Sequence, residues 1–292
     1  MEPGIGFAVG AALVWGVYLF VLKQSFGEFP STVLIVYANG FAILLYSPVL
    51  IASLGVDGTV SALVGFGLSE LGTLLVTTGM TAVATVAFLR ALAVGEVSYV
   101  APISKIVPVF VLPIEVVVLQ QVLTPLQIAG VVVATVAVYV TNYRGGSLLA
   151  PIRRATTSRA AQLAVLSAAC FGVADVAKRI GLQELAIPAT LWLPLFLGGV
   201  LVVVLPFAIR AHPETVRPEL PMLVVAGGIV AVGEYLTTLA FELVPASIAS
   251  PIVNTQAVVA VLLGGLILDE QYFGTRLAAA VLAVVGVTMI AI

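Results

Sequence analysis

Ten apolar stretches, each about as long as a lipid bilayer is thick, account for most of this chain of 292 residues. A helix needs about 20 mostly apolar residues to cross a bilayer. Charged residues make up 9% of the chain, whereas a soluble domain has about 25%. The chain is therefore predicted to lie in a membrane. The stretches are residues 5–22, 31–53, 68–89, 98–119, 124–143, 161–181, 187–209, 220–243, 247–268 and 273–292.

The pattern within these stretches favours helices over strands. The strands of a transmembrane barrel would appear as segments of about 10 residues in which polar and apolar side chains alternate. Residues 128–140 and 277–292 show no such alternation. We therefore predict an all-α integral membrane protein with ten transmembrane helices. Ten spans with short connections leave no length for a soluble domain.

Composition and motifs exclude several classes of function. The net charge of −2 gives no support to nucleic-acid binding, and Cys170 and His212, each the only residue of its type, exclude an internal disulfide and a multi-histidine metal site. The sequence contains no G-x-x-x-x-G-K-[ST] loop for ATP, and it lacks the G-x-S-x-G and H-E-x-x-H motifs of hydrolases. We expect no cofactor and no enzyme activity. The expected partners are a small-molecule substrate and the lipid bilayer.

The second half of the chain repeats the first. Residues 91–103 align without gaps with residues 240–252, and at the same offset of 149 Gln120–Gln121 falls on Asp269–Glu270. Chance similarity between apolar helices is the alternative. An odd number of spans per half requires opposite orientations, and inverted repeats are typical of secondary transporters. The predicted units are a first repeat at 1–145, a polar linker at 146–160 and a second repeat at 161–292. The identical pairs are Ala91 and Ala240, Ser98 and Ser247, Pro102 and Pro251, and Ile103 and Ile252.

Three features together resemble the EamA-type branch of the drug/metabolite transporter superfamily. They are Lys23 at the end of the first helix, the pattern A-L-x-x-x-x-x-S-x-x-x-P that begins at Ala91, and Asp269–Glu270 before the last helix. The resemblance implies a basket-shaped bundle with a central cavity that moves small metabolites such as amino acids, by proton-linked exchange or facilitated transport. The chain departs from the family at Gln120–Gln121, where members usually carry Glu.

Polar residues at membrane depth are the candidate substrate site, because such groups are costly unless they face a cavity or a partner. Lys105 lies between Pro102 and Pro108, which predicts a bent or broken fourth span. At the repeat offset Asn254 falls on Lys105, and Gln256 follows it. We expect Lys105 and Asn254 to face each other across the cavity. A structural or snorkelling lysine is the alternative.

Acidic and aromatic residues complete the predicted site. Glu234, midway along its span, is the proton-coupling candidate, and a static Lys105–Glu234 pair is the alternative. Glu115 is a second candidate, because ten residues of continuous helix place it about 80° from Lys105. Trp15 and Tyr235 are predicted to contact the substrate, although such residues also favour membrane interfaces. Asp175 is interpreted as structural, since Lys178 and Arg179 follow it at spacings that favour an ion pair.

Loop charges and the family resemblance disagree on orientation. Loops after even-numbered spans carry only Lys178 and Arg179. The positive-inside rule therefore places the odd loops in the cytoplasm and both termini outside, whereas the resemblance places the termini inside. Loops after odd-numbered spans carry Lys23, Arg90, Arg144, Arg153, Arg154, Arg159, Arg210, Arg217 and Arg276.

The sequence thus predicts a secondary transporter of small polar metabolites in a prokaryotic plasma membrane. Lys105 suits a carboxylate and Glu234 an ammonium group, so a zwitterionic amino acid is the simplest substrate. A facilitative uniporter or exchanger, a channel, an intramembrane enzyme and a non-transporting receptor are the alternatives. The transporting unit is expected to be a monomer or a homodimer.

Overall fold

The computed structural model describes residues 2–26, 29–94, 100, 103–141, 158–267 and 273–292. Within these ranges the regular structure is helical. Two π-helical turns, Ile114–Val118 and Ile180–Glu184, extend α4 and α6. The α-helices are α1 (Pro3–Ser25), α2 (Ser31–Val64), α3 (Leu68–Val94), α4 (Val107–Pro113), α5 (Pro125–Thr141), α6 (Arg159–Arg179), α7 (Ala189–Arg210), α8 (Leu220–Leu243), α9 (Ala246–Asn254), α10 (Gln256–Ile267) and α11 (Phe273–Ala291).

Several sequence features fall outside the described residues. They include most of the predicted linker 146–160, with its neighbour Arg144, and parts of the repeat motif. The boundaries of the two predicted repeats therefore stay predictions. The motif residues concerned are Ser98, Pro102 and Asp269–Glu270.

Helix length and composition confirm an all-helical, multi-spanning membrane fold. In the described part of the chain, seven helices are long and apolar enough to cross a membrane, and three further apolar helices are shorter. The count of ten spans stays a prediction. The seven are Pro3–Leu22, Ser31–Val64, Leu68–Ala91, Arg159–Glu184, Ala189–Arg210, Leu220–Leu243 and Ala246–Gly264, and the shorter ones are Val107–Val118, Pro125–Val140 and Ala280–Ala291.

Helix α2 is longer than its predicted span because it contains a break. Gly55 has φ 69° and ψ 171°, a backbone conformation outside the helical region. Glycine adopts a positive φ without the steric cost that a Cβ atom imposes. The predicted span 31–53 therefore corresponds to the part of α2 before this break.

The fourth and ninth predicted spans are interrupted at equivalent positions. Ile106, just before α4, has ψ 19°, and Thr255, between α9 and α10, has ψ −8°. The repeat offset of 149 places Ile106 on Thr255. Prolines at Pro108 and Pro251 remove backbone donors near both breaks. The broken fourth span expected from its prolines is thus observed, and its counterpart is broken as well.

Contacts between the helices follow the repeat. When each helix is exchanged with its counterpart (α1 with α6, α2 with α7, α3 with α8, α4 with α10, α5 with α11), most of the closely packed pairs map onto one another. The pair α3–α6 becomes α1–α8, α3–α7 becomes α2–α8, and α4–α6 becomes α1–α10, while α2–α7 and α5–α11 map onto themselves. This pattern is that of an approximate two-fold relation between two halves.

Helices α5 and α11 pack with their backbones in contact. A Cβ atom on Gly130 would lie 2.8 Å from the carbonyl oxygen of Gly286, and one on Gly286 would lie 2.6 Å from the amide nitrogen of Ala134. Small residues allow this close approach of membrane helices.

We therefore expect Gly286→Val to force α5 and α11 apart. Overpacking of this kind costs about 1–3 kcal/mol, so the thermal unfolding midpoint in detergent should fall. Gly72→Val is the matched control, because it places the same side chain in α3, where a Cβ atom would have no neighbour within 4 Å. Equal effects of the two substitutions would contradict the tight α5–α11 contact.

Candidate functional site

A central cavity of about 480 Å³ lies between the two halves. Residues from both halves line it, and small-molecule sites in proteins have comparable volumes, about 300–1,000 Å³. Phenylalanine rings and threonine hydroxyls form much of the wall. Among the described lining residues, the charged ones are Lys105, Asp175, Lys178 and Glu234.

Most of the predicted site residues line this cavity. The break before α4 brings Lys105 to the cavity wall, and the break between α9 and α10 does the same for Asn254 and Gln256. Lys105 and Asn254 therefore line one cavity, as the repeat offset predicts. The predicted residues found in the lining are Trp15, Lys105, Glu234, Asn254 and Gln256.

Glu234 forms an ion pair with Lys178 and not with Lys105. The Lys178 ammonium contacts Glu234 Oε1, and the two side chains are only 6% and 8% exposed. The Thr238 hydroxyl lies 3.4 Å from the same oxygen. The alternative of a static Lys105–Glu234 pair is thus not observed, because the last turn of α6 places Lys178 beside α8, and the proton-coupling role of Glu234 stays a prediction.

Two aromatic rings enclose this ion pair. The Lys178 ammonium lies 5.2 Å from the ring centroid of Phe196 and 5.6 Å from that of Phe241. An ammonium at these distances is attracted by the face of a ring. Lys178 is therefore held on several sides by groups of α7 and α8.

Asp175 lines the cavity, contrary to its interpretation as a local ion-pair partner. Its Oδ2 accepts a hydrogen bond of 2.5 Å from the Ser250 hydroxyl on α9. The Asn254 amide donates to the Ser250 carbonyl at 2.9 Å and lies 3.3 Å from the Ser250 hydroxyl oxygen. One turn of α9 thus orients the carboxylate of α6.

The helical spacing of α6 could have identified Asp175. Phe171, Ala174, Asp175 and Lys178 all line the cavity, and they recur every three or four residues. This spacing defines one helix face. Sequence reasoning used the i+3 spacing of Lys178 as evidence for a salt bridge, although the same spacing also places both side chains on the cavity wall.

Lys105 lines the same cavity as Asp175. Among the described residues, no side chain forms a hydrogen bond or an ion pair within 4 Å with the Lys105 ammonium. Its donors are therefore not committed to another described residue.

Trp15 is fixed against α8 by a hydrogen bond and a close contact. Its Nε1 donates to the Thr237 hydroxyl at 2.9 Å, and that hydroxyl donates to the Gly233 carbonyl at 2.7 Å. A Cβ atom on Gly233 would lie 3.0 Å from the indole. The absence of a side chain at Gly233 thus allows the indole to lie at the cavity wall.

Tyr235 is a correction to the predicted site. It is not among the described lining residues, and its ring packs on Tyr46 with centroids 5.6 Å apart. Neighbouring positions on a helix differ by about 100° in direction. With Glu234 directed into the cavity, Tyr235 faces α2 instead.

Glu115 is a second correction, because it lies outside the cavity lining and is fully buried. Its carboxylate accepts hydrogen bonds from the backbone N–H groups of Ala246 and Ser247 at 2.7 and 2.8 Å and from the Ser247 hydroxyl at 2.5 Å. Glu115 therefore caps the N-terminus of α9, where carboxylates are stabilised. The predicted angle to Lys105 assumed one continuous helix, which the break at Ile106 interrupts.

Arg179 and Gln183 extend this buried cluster. Arg179 Nε lies 3.7 Å from Glu115 Oε1 and donates to Gln183 Oε1 at 2.8 Å. The Gln183 amide donates to the carbonyls of Phe241 and Val244 at 2.8 and 2.9 Å. The cluster thus ties the end of α6 to the turn between α8 and α9.

The positions of Lys178 and Arg179 also change the count of loop charges. They are 5% and 7% exposed inside the bundle, because α6 continues through a π-helical turn to Glu184. They are therefore not loop residues, and no basic residue remains in the loops after even-numbered spans. The loop charges then favour external termini more strongly, and orientation stays a prediction.

Comparison with known proteins identifies one family. A family model described as the EamA-like transporter family matches residues 2–143 and 158–292. A solved structure described only as "Crystal structure of protein" superposes with a TM-score of 0.77 at 15% identity, covering 99% of this chain and 95% of its own. That similarity shows a shared fold alone. No curated protein matches the chain.

We expect Glu115→Ala to destabilise the protein strongly. The substitution leaves the amides of Ala246 and Ser247 without an acceptor and Arg179 without its buried counter-charge, and breaking a buried pair costs about 3–5 kcal/mol. The measurement is the thermal unfolding midpoint in detergent. The control is Glu214→Ala on an exposed loop residue. A midpoint equal to that of the control would contradict the capping role.

Proposed function

The chain belongs to the EamA-like transporter family, and from this membership we propose that it is a secondary transporter of small polar metabolites, most simply amino acids. It works by alternating access across a prokaryotic plasma membrane. Two inverted repeats, each of five spans, rock against each other around the central cavity. Such repeats place the substrate between them near the bilayer midplane.

The observation that carries this proposal is the cavity lined by two broken helices. Lys105 and Asn254 lie at equivalent breaks of the two halves, and both line the cavity. Discontinuous helices at a repeat interface form the substrate sites of many transporters. The interruption frees backbone groups, which a polar substrate can satisfy where lipid cannot.

The charges of the cavity favour a substrate that carries both signs. Lys178 is already paired with Glu234, so among the described lining residues Lys105 is the cation without such a partner. A phosphorylated metabolite would recruit more than one free cation. An amino acid, with one ammonium and one carboxylate, fits this balance better.

Glu234 is the proposed proton-coupling group. Its carboxylate is paired with Lys178 at the cavity wall. Protonation of Glu234 would remove its negative charge and release the Lys178 ammonium, which would change the contacts between α6 and α8. A facilitative uniporter or exchanger, or a channel, is the alternative, in which this pair only holds the two helices together. Either mode can operate in a monomer or in a homodimer, since one chain supplies both halves of the cavity.

The test is uptake of a radiolabelled amino-acid panel into proteoliposomes, with and without an imposed pH gradient. Wild type should show saturable uptake and counterflow, and the gradient should raise accumulation. Glu234→Gln cannot exchange the proton, so counterflow should persist while the response to the gradient is lost. Glu214→Gln is the control, because this loop residue is exposed and distant from the cavity wall.

Other outcomes separate the alternatives. Counterflow with no response to the gradient in wild type supports the facilitative exchanger. Flux that rises linearly with concentration and shows no counterflow supports a channel. Absence of uptake for every amino acid contradicts the proposed substrate, and an extended metabolite panel then tests transport itself.

A further inference from the structure

We infer that Asp175 determines specificity by binding the cationic group of the substrate, while Lys105, which lines the same cavity, binds the anionic group. The inference rests on the proposed transport function, since it names the contacts made within that cavity. It assigns the recognition of an ammonium group to α6 and not to Glu234 on α8.

The other two buried carboxylates are already occupied. Glu234 is paired with Lys178, between two phenylalanine rings. Glu115 accepts three hydrogen bonds from the start of α9 and lies outside the cavity lining. A substrate ammonium would have to displace the Lys178 ammonium from Glu234, or the hydrogen-bond donors of Ala246 and Ser247 from Glu115.

Asp175 has acceptor capacity left. Its contact to a described residue is one hydrogen bond from the neutral Ser250 hydroxyl to Oδ2. A carboxylate can accept about four hydrogen bonds. No described residue donates a hydrogen bond to its Oδ1 atom, and Asp175 lines the cavity.

Ser250 and Asn254 fix the direction of this carboxylate. The Asn254 amide contacts the carbonyl and the hydroxyl of Ser250, and the Ser250 hydroxyl donates to Asp175. All three residues line the cavity, so this chain of contacts joins α6 to the broken segment of α9. The direction of the Asp175 carboxylate therefore depends on its contact with α9.

Lys105 supplies the opposite charge. Its ammonium carries three donors, and none is used by another described residue within the limits of a hydrogen bond. Lys105 and Asp175 line the same cavity. A zwitterion satisfies both groups at once, whereas a simple amine or a simple acid leaves one of them without a counter-charge.

The experiment compares three ligands that share one side chain: the transported amino acid, its deaminated acid and its decarboxylated amine. Each competes for counterflow of the labelled amino acid in proteoliposomes. In Asp175→Asn, we expect the KM for the amino acid to rise about tenfold or more, as expected for the loss of a charged hydrogen bond. The deaminated acid should compete as well as in wild type or better.

Lys105→Gln provides the reciprocal test. The KM for the amino acid should again rise, but here the amine should retain its competition and the acid should lose it. Asp175→Glu keeps the charge and should restore part of the preference for the amino acid. Asp57→Asn, the same change at an exposed position, is the matched control and should behave as wild type.

Selectivity distinguishes recognition from a structural role. If Asp175→Asn weakens amino acid, acid and amine by the same factor, or leaves their ratios unchanged, the inference is overturned. If Asp175→Asn cannot be purified in a folded form, the test is how strongly the amino acid, the acid and the amine compete in Lys105→Gln. Ratios between these three ligands that equal those of wild type overturn the inference as well. The inference is also overturned if wild type transports only metabolites that carry no ammonium group. If wild type transports nothing, the proposed function is refuted instead.

Discussion

The cost of a charged side chain inside a bilayer governs how this bundle is arranged. On insertion scales that cost is about 2.5–3.5 kcal/mol for a residue at the centre of a helix. The protein lowers it by pairing charges from different helices. Lys178 on α6 meets Glu234 on α8, and Arg179 on α6 lies beside Glu115 in the turn after α4. The Lys178–Glu234 pair joins two helices of the second half, whereas the Arg179–Glu115 contact joins opposite halves, so charges that must be neutralised also hold helices together.

The backbone shows the same constraint at the two broken helices. An interrupted helix in a membrane leaves polar groups that only protein, water or ligand can satisfy. Here the interruptions at Ile106 and Thr255 occur beside the cavity, where polar residues gather. The N-terminus of α9 is satisfied by a buried protein group instead, because the Glu115 carboxylate from the π-helical extension of α4 accepts hydrogen bonds from its first amides. Irregular backbone is thus placed either at the cavity or against a buried partner.

Much of the fold could be predicted from the sequence because it depends on local pattern. Apolar length predicted the membrane helices, and the ungapped repeat aligned Lys105 with Asn254, which both line the cavity beside breaks in their helices. Side-chain partners could not be predicted in the same way. They depend on how helices rotate against one another, and a single π-helical turn or break changes that rotation for every later residue.

The error at Glu115 has this cause, since its predicted direction assumes one continuous helix, which the break at Ile106 interrupts. The error at Lys178 is of another kind, because this residue lies within the predicted span 161–181 as well as within α6 and does not belong with the loop charges. Tyr235 was also assigned the wrong direction. It follows Glu234 on α8, and this single step separates a residue on the cavity wall from one packed on Tyr46. The amino-acid pattern predicts the depth of a residue in the membrane far better than the direction of its side chain around the helix axis.

The pairing of buried charges has an electrical consequence. The charged side chains that line the cavity in the described chain are two cations, Lys105 and Lys178, and two anions, Asp175 and Glu234, which sum to zero. Moving one uncompensated charge through a potential of 100 mV takes about 2.3 kcal/mol. In the proposed cycle an empty carrier with this balance returns without working against the membrane potential. The voltage then acts on the cycle only through the charge of the cargo and of any proton that travels with it.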